Sequence, residues 1–339
     1  MEGKSLRNKQ RMGYFCGMLG CNIAYSMVNT FLLMFFTDAV GLHTAKLSVM
    51  FLITKLFDGV TDYLVGSLID RTDSKLGRNK PWMLYGIPVF AIGFIMVFAA
   101  PQFAANFRLL YAYVSYIIFC FGYTMINVPM NSIVPFMTSD PDERTSILTF
   151  GNLGGTFGVM IAIVGVPMMI QMNGGSSTVA GYSKTALVLA VVASVIYGLC
   201  VLLTKEVNLP PKAKPEPMLK NLGYIAKNRP FIVLLIYMLT NALSLACMTS
   251  VLTYYTKYIL FDESQVTVLN LIFIAGSLIG LVFATPLGKR FSKKPLLLGL
   301  LGVQLASWAG CWFGWQNLYA VYASTAVMAL AAGCINPNV

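Results

Sequence analysis

Of the 13 acidic residues in this 339-residue chain, all but Asp58 and Asp62 fall in polar connections or at the ends of apolar runs. Those two lie in the middle of an apolar run at 45–69, with Lys55 one turn ahead of them. The spacing 55, 58, 62 is i, i+3, i+7, so a helix carries all three on one face. An ionisable side chain at the centre of a membrane helix costs about 2.5–3.5 kcal/mol on insertion scales, and three on one face ask for a function. Two carboxylates one turn apart repel each other. Either one takes up a proton, or both stay ionised around a bound cation. The pair is therefore a candidate site for a proton or a monovalent metal ion. Lys55 can neutralise one carboxylate when the cation is absent. A Lys–Asp pair that only held helices together would need a single carboxylate.

Other chemistries lack their residues. His43 is the only histidine, next to an apolar run, and reads as a solvated loop residue. The seven cysteines lie in apolar stretches without metal-ligand spacing and read as small packing residues. With no second histidine and no Cys/His/Asp cluster, an enzyme with a nucleophilic or transition-metal centre is not expected, nor is a resident cofactor. A membrane enzyme would need polar groups near a membrane face beyond the loop charges. Tyr25 and Tyr123 could stack on the flat face of a bound ligand, although ordinary helix packing is the commoner role of such residues.

The elements that must hold these residues follow from composition. The chain is 57% hydrophobic and only 11% charged, with a mean hydropathy of +0.70. Soluble domains carry about 25% charged residues. A chain this apolar needs lipid as solvent. Its net charge of +11 does not mark a nucleic-acid binder, because the basic residues lie between apolar runs rather than on one polar domain. Apolar helices are predicted at 13–37, 45–69, 83–100, 109–138, 147–171, 184–204, 231–259, 265–287, 296–314 and 318–336. With a cytoplasmic N-terminus, 19 Lys and Arg fall on the cytoplasmic side and four on the other. The basic N-terminus leads straight into the first span, with no cleavable signal expected. The fold class is therefore all-α and polytopic, in the cell (inner or plasma) membrane, with lipid as a partner. The Pro-rich segment 205–229 reads as a cytoplasmic linker between a six-helix bundle at 1–204 and a partial bundle at 230–339. Two halves joined in this way are the plan of the major facilitator superfamily. The tenth run reaches the end of the sequence, so a fragment of a twelve-span protein is expected.

The segment KLFDGVTDYLVGSLIDRTDSKLGRNKPW (55–82) resembles the signature of the glycoside–pentoside–hexuronide:cation symporter family, whose best-known member is the melibiose carrier. That signature is an Asp-x-x-x-Asp pair followed by a basic turn ending in Pro-Trp. The segments FFTDAVGL (35–42), YTMINVPMNSIVP (123–135) and 228–260 carry further likeness. The resemblance implies sugar symport driven by Na⁺, Li⁺ or H⁺, with Asp58 and Asp62 holding the cation. It places Thr124 as a hydroxyl near that site, and it implies sugar contacts at Asn22, Asn127 and Asn152. The melibiose carrier has Asp at the first two of those positions and Arg at the third. Asparagine offers donors and acceptors without negative charge, which suits a hexuronide or pentoside. Asp70, Arg71, Gly77, Arg78 and Lys80 belong to a short basic turn, echoed by 285–295, that would hold an inner gate closed. A carrier of lysolipids and a non-transporting sensor are the alternatives on the same fold.

Overall fold

The computed structural model describes residues 2–99, 105–175, 178–207, 227–240, 255, 259 and 264–335, and these are helical with no strands among them. In chain order the helices are α1 (Glu2–Met34, running on into a π-helical turn, Phe35–Ala39), α2 (Thr44–Arg71), α3 (Lys80–Phe98), α4 (Ala105–Ser132), α5 (Val134–Met137), α6 (Pro141–Met172) and α7 (Val179–Leu203). They continue with α8 (Arg229–Thr240), α9 (Ser264–Arg290), α10 (Lys293–Phe313) and α11 (Leu318–Ile335). Eight of the described helices are long and apolar enough to cross a membrane. The 28-residue α2 is not among them, because Lys55, Asp58 and Asp62 interrupt its apolar run.

The chain forms two compact units, one built on residues up to 209 with 284–292, the other on 210–283 and 293–335. In the first unit, α1 packs on α6 and α7, α3 on α4 and α7, and α2 on α4. Glycine sets how closely these helices approach. A Cβ at Gly154 would collide with the Phe15 carbonyl oxygen, and one at Gly158 would sit 2.6 Å from the Leu19 carbonyl oxygen, so α6 lies directly against the backbone of α1. At the α3–α4 crossing, a Cβ at Gly93 would come within 2.6 Å of the Phe119 backbone, and one at Gly122 within 2.5 Å of the Phe90 backbone. Small residues that let backbones meet are the usual means of helix association in lipid. The second unit repeats the device, with Gly276 and Gly280 of α9 closing on α11.

Several boundaries depart from the sequence expectation: α1 begins at Glu2 rather than 13 and α7 at Val179 rather than 184, and two further departures have local causes. The span expected at 109–138 breaks after Ser132 and restarts as α5, because Pro135 has no N–H to offer the preceding turn. The helix expected from 147 begins at Pro141. There Asp140 caps it, accepting the Asp142 amide at 3.1 Å, and Asp142 and Glu143 occupy the positive first turn. Glu143 is buried and held by Arg11 through bonds of 2.9 and 2.8 Å, which explains why the polar start of α1 is helical. Of the linker expected at 205–229, residues 208–226 lie outside the described residues, as does most of the seventh span beyond Thr240.

Candidate functional site

Three helices of the first unit, α1, α2 and α4, enclose a cavity of about 520 Å³. Each presents a stripe at helical spacing: Asn22, Tyr25 and Asn29 from α1, Lys55, Asp58 and Asp62 from α2, and Cys120, Thr124 and Asn127 from α4. Gly59 leaves room between the carboxylates, since nothing lies within 4 Å of where its Cβ would be.

The two carboxylates share the cavity but not their partners. Thr124, itself buried, donates its hydroxyl to Asp62 Oδ1 at 2.9 Å. Lys55 Nζ approaches Asp58 Oδ2 at 3.4 Å, with the lysine side chain 54% exposed and the aspartate 25%. A pair this open contributes on the order of 1 kcal/mol or less, so an entering cation can displace the lysine. The Lys55 ammonium also lies 5.8 Å from the centre of the Tyr25 ring, and that ring stacks on Tyr123 at 5.7 Å and 18°. Tyr25 and Tyr123 thus spend one face each on the other. Carboxylate and hydroxyl oxygens are the hard donors that alkali-metal ions take, and the same carboxylates can carry a proton.

Of the expected sugar contacts, Asn22, Tyr25 and Asn127 meet at this cavity. The Asn22 amide donates to the Met18 carbonyl at 2.9 Å and packs on Gly155. The Asn127 side-chain oxygen accepts from Asn131 at 3.2 Å. Asn152 is not brought here. It sits half-buried on α6, beside the glycine face that meets α1. Asn29 and Cys120 line the cavity without having been singled out from the sequence. The signal for Asn29 was the 22, 25, 29 spacing, and for Cys120 the i−4 offset from Thr124. His43 is exposed ahead of α2.

The residues expected at a gate cluster at the end of α2 and in the turn before α3. Asp70 and Arg71 are exposed, Gly77 takes φ +104°, and Lys80 Nζ donates to the Thr204 carbonyl at 2.8 Å. Trp82 Nε1 donates to Thr72 Oγ1 at 2.8 Å and braces the turn. Its central partner, missed in the sequence, is Glu206.

Residues 13–337 match the model of a family described as MFS/sugar transport protein. The chain is 30% identical over 311 residues to the isoprimeverose transporter of Lactiplantibacillus pentosus, covering 89% of this chain and 64% of that protein. It is 27% identical over 311 residues to the glucuronide carrier protein homolog of Escherichia coli, covering 89% of this chain and 67% of that one. The chain thus spans 64% of the length of the first of these relatives. Among solved structures it resembles the major facilitator superfamily transporter FucP with a TM-score of 0.70 at 16% identity, covering 96% of this chain and 82% of that one, a likeness of fold.

Proposed function

We propose, from the premise that this chain belongs to the MFS/sugar transport family and within it to the glycoside–pentoside–hexuronide:cation symporters, that it works as a cation-coupled glycoside carrier by alternating access. It is a multi-pass membrane protein of a transporter family. The observation that carries the reading is the Thr124–Asp62 bond in the same cavity as the weak Lys55–Asp58 pair. In the empty state Lys55 shares the charge of Asp58. An arriving Na⁺, Li⁺ or proton takes over that neutralisation, the carboxylates stop repelling each other, and the cavity becomes able to hold a sugar. Binding energy is then spent on the change of access rather than on tight retention. The distribution of Lys and Arg supports a cytoplasmic N-terminus.

The sugar is a pentoside or hexuronide glycoside. Asn22 and Asn127 support this, since they hydrogen-bond hydroxyls without repelling an anionic substituent. Relatives named for isoprimeverose and glucuronide accord with it. The test is uptake into membrane vesicles from cells expressing the complete reading frame, under imposed Na⁺, Li⁺ or proton gradients. Competition would be by a xyloside, a glucuronide and a galactoside. Asp58→Asn and Asp62→Asn are each expected to lose cation-stimulated uptake. Unchanged cation dependence in both variants would falsify the site, and strong preference for the galactoside would remove the substrate assignment.

A further inference from the structure

Four consecutive residues at the end of α7, Thr204 to Val207, tie the first unit together. The Thr204 carbonyl accepts from Lys80 Nζ at 2.8 Å, and the Lys205 carbonyl accepts from the buried Gln10 side chain of α1 at 3.1 Å. The Val207 amide donates to the Phe136 carbonyl of α5 at 2.8 Å. Between them, the Glu206 carboxylate accepts the backbone amides of Arg78, Asn79 and Lys80 at 2.8, 2.9 and 3.1 Å. Asn79 and Lys80 are the N-cap and first residue of α3, whose N–H groups lack partners within the helix and where the helix dipole also favours a negative charge. Gly77 makes the seat possible. Its φ of +104° suits glycine, and a Cβ there would lie 2.5 Å from the Glu206 carboxyl carbon. Asn79, fully buried, is fixed from the other side by the Ser132 hydroxyl of α4 at 2.7 Å.

We infer that Glu206 is a positioning residue for transport: it latches the basic turn 72–80 to the root of the segment joining the two units. The bonds run to backbone amides, so the turn is held without engaging the exposed charges of Arg71 and Lys75. Such an anchor keeps the turn fixed to its own unit through any change of access. The same latch passes any pull on the connecting segment directly to α3. The inference rests on the carrier reading above.

Glu206→Ala and Glu206→Gln in the complete reading frame test it, by amide hydrogen exchange on purified protein and by initial rates of uptake of radiolabelled isoprimeverose and methyl glucuronide. The alanine variant is expected to speed exchange at residues 78–80 by at least about tenfold, the worth of one lost charge-assisted bond. It is expected to lower Vmax by a similar factor while KM stays within about twofold, because the cavity is left intact. Glutamine keeps one acceptor oxygen for the Asn79 and Lys80 amides but turns its NH2 to the Arg78 N–H, so it is expected to restore exchange protection at 79 and 80 and part of Vmax. Unchanged exchange in Glu206→Ala overturns the latch. So does a loss expressed in KM, or a glutamine variant as impaired as alanine at residues 79 and 80, where its oxygen still accepts. If Glu206→Ala does not fold, Gly77→Ala expels the carboxylate by a second route and must show the same pattern. If the wild type takes up neither sugar under any gradient, the carrier reading fails on its own, and the exchange arm still decides the latch.

Discussion

Asp58 and Asp62 occupy one cavity, and the partner of each sets its task. Asp62 accepts from the buried Thr124 hydroxyl, whose lone pairs would also serve the proposed cation. Asp58 is balanced by a lysine that shares its own helix. Replacing Thr124 by Val keeps the shape and removes the oxygen. The half-saturating cation concentration is expected to rise about tenfold, the equivalent of one hydrogen bond to a charged group, and Thr124→Ser to recover it. Lys55→Met removes the internal competitor. It should lower the half-saturating concentration by up to about fivefold, since an exposed pair is worth on the order of 1 kcal/mol. Titrations of uptake against Na⁺, Li⁺ and pH would check both. The charged triad was legible in the sequence because any charge stands out against an apolar run. Thr124 came only through family likeness. Asn29 and Cys120 have no contrast of that kind in a membrane helix. Glu206 was hidden for another reason: its partners are backbone amides, which leave no side-chain signature.

Helix spacing decides whether the stripes of α1, α2 and α4 meet at all. The α3–α4 crossing is set by Gly93 and Gly122, where backbones touch. Adding one methyl by Gly122→Ala must push α4 away from α3, and Tyr123 and Thr124 are the next two residues of α4. The expected cost is about 1–3 kcal/mol of overpacking, read as a lower midpoint of thermal unfolding in detergent, with weakened cation dependence. Gly198→Ala on α7 is the control. Nothing lies within 4 Å of its Cβ position, so helix propensity alone should leave stability unchanged or raise it by roughly 0.5–1 kcal/mol. The run GNLGGTFG (151–158) shows the same logic on α6. Its glycines at 151, 154, 155 and 158 mark the face turned to α1. Asn152 is rotated off that face and does not line the cavity of α1, α2 and α4. Helix existence was plain from hydropathy. Helix ends were less so, because the Asp140 cap and the Pro135 break are local features that a long apolar run masks.

At the scale of the molecule, charge distribution and bonding give independent accounts of which segments share a membrane face. The sequence puts the N-terminal arm, the turn 71–80, the connection near 140 and the segment from 205 on the cytoplasmic side, where 19 Lys and Arg collect against four opposite. Hydrogen bonds within the first unit join these same segments. Gln10 reaches Lys205, Glu206 reaches residues 78–80, Val207 reaches Phe136, and Arg11 reaches Glu143. No charge rule entered those bonds, so their agreement with the alternation of spans argues for the same end of the bundle. Cysteine accessibility tests which face this is. Lys75 is exposed in the turn, and Lys184 is exposed near the start of α7, at the span end assigned to the opposite side. Lys75→Cys is expected to react with an impermeant maleimide only in inside-out vesicles, and Lys184→Cys only in right-side-out ones, both in a background with the native cysteines replaced. Labelling of both from one side would break the alternation. A clean exchange of sides would keep the fold and invert the molecule, placing the Glu206 latch and the basic turn at the outer face instead of the cytoplasmic one.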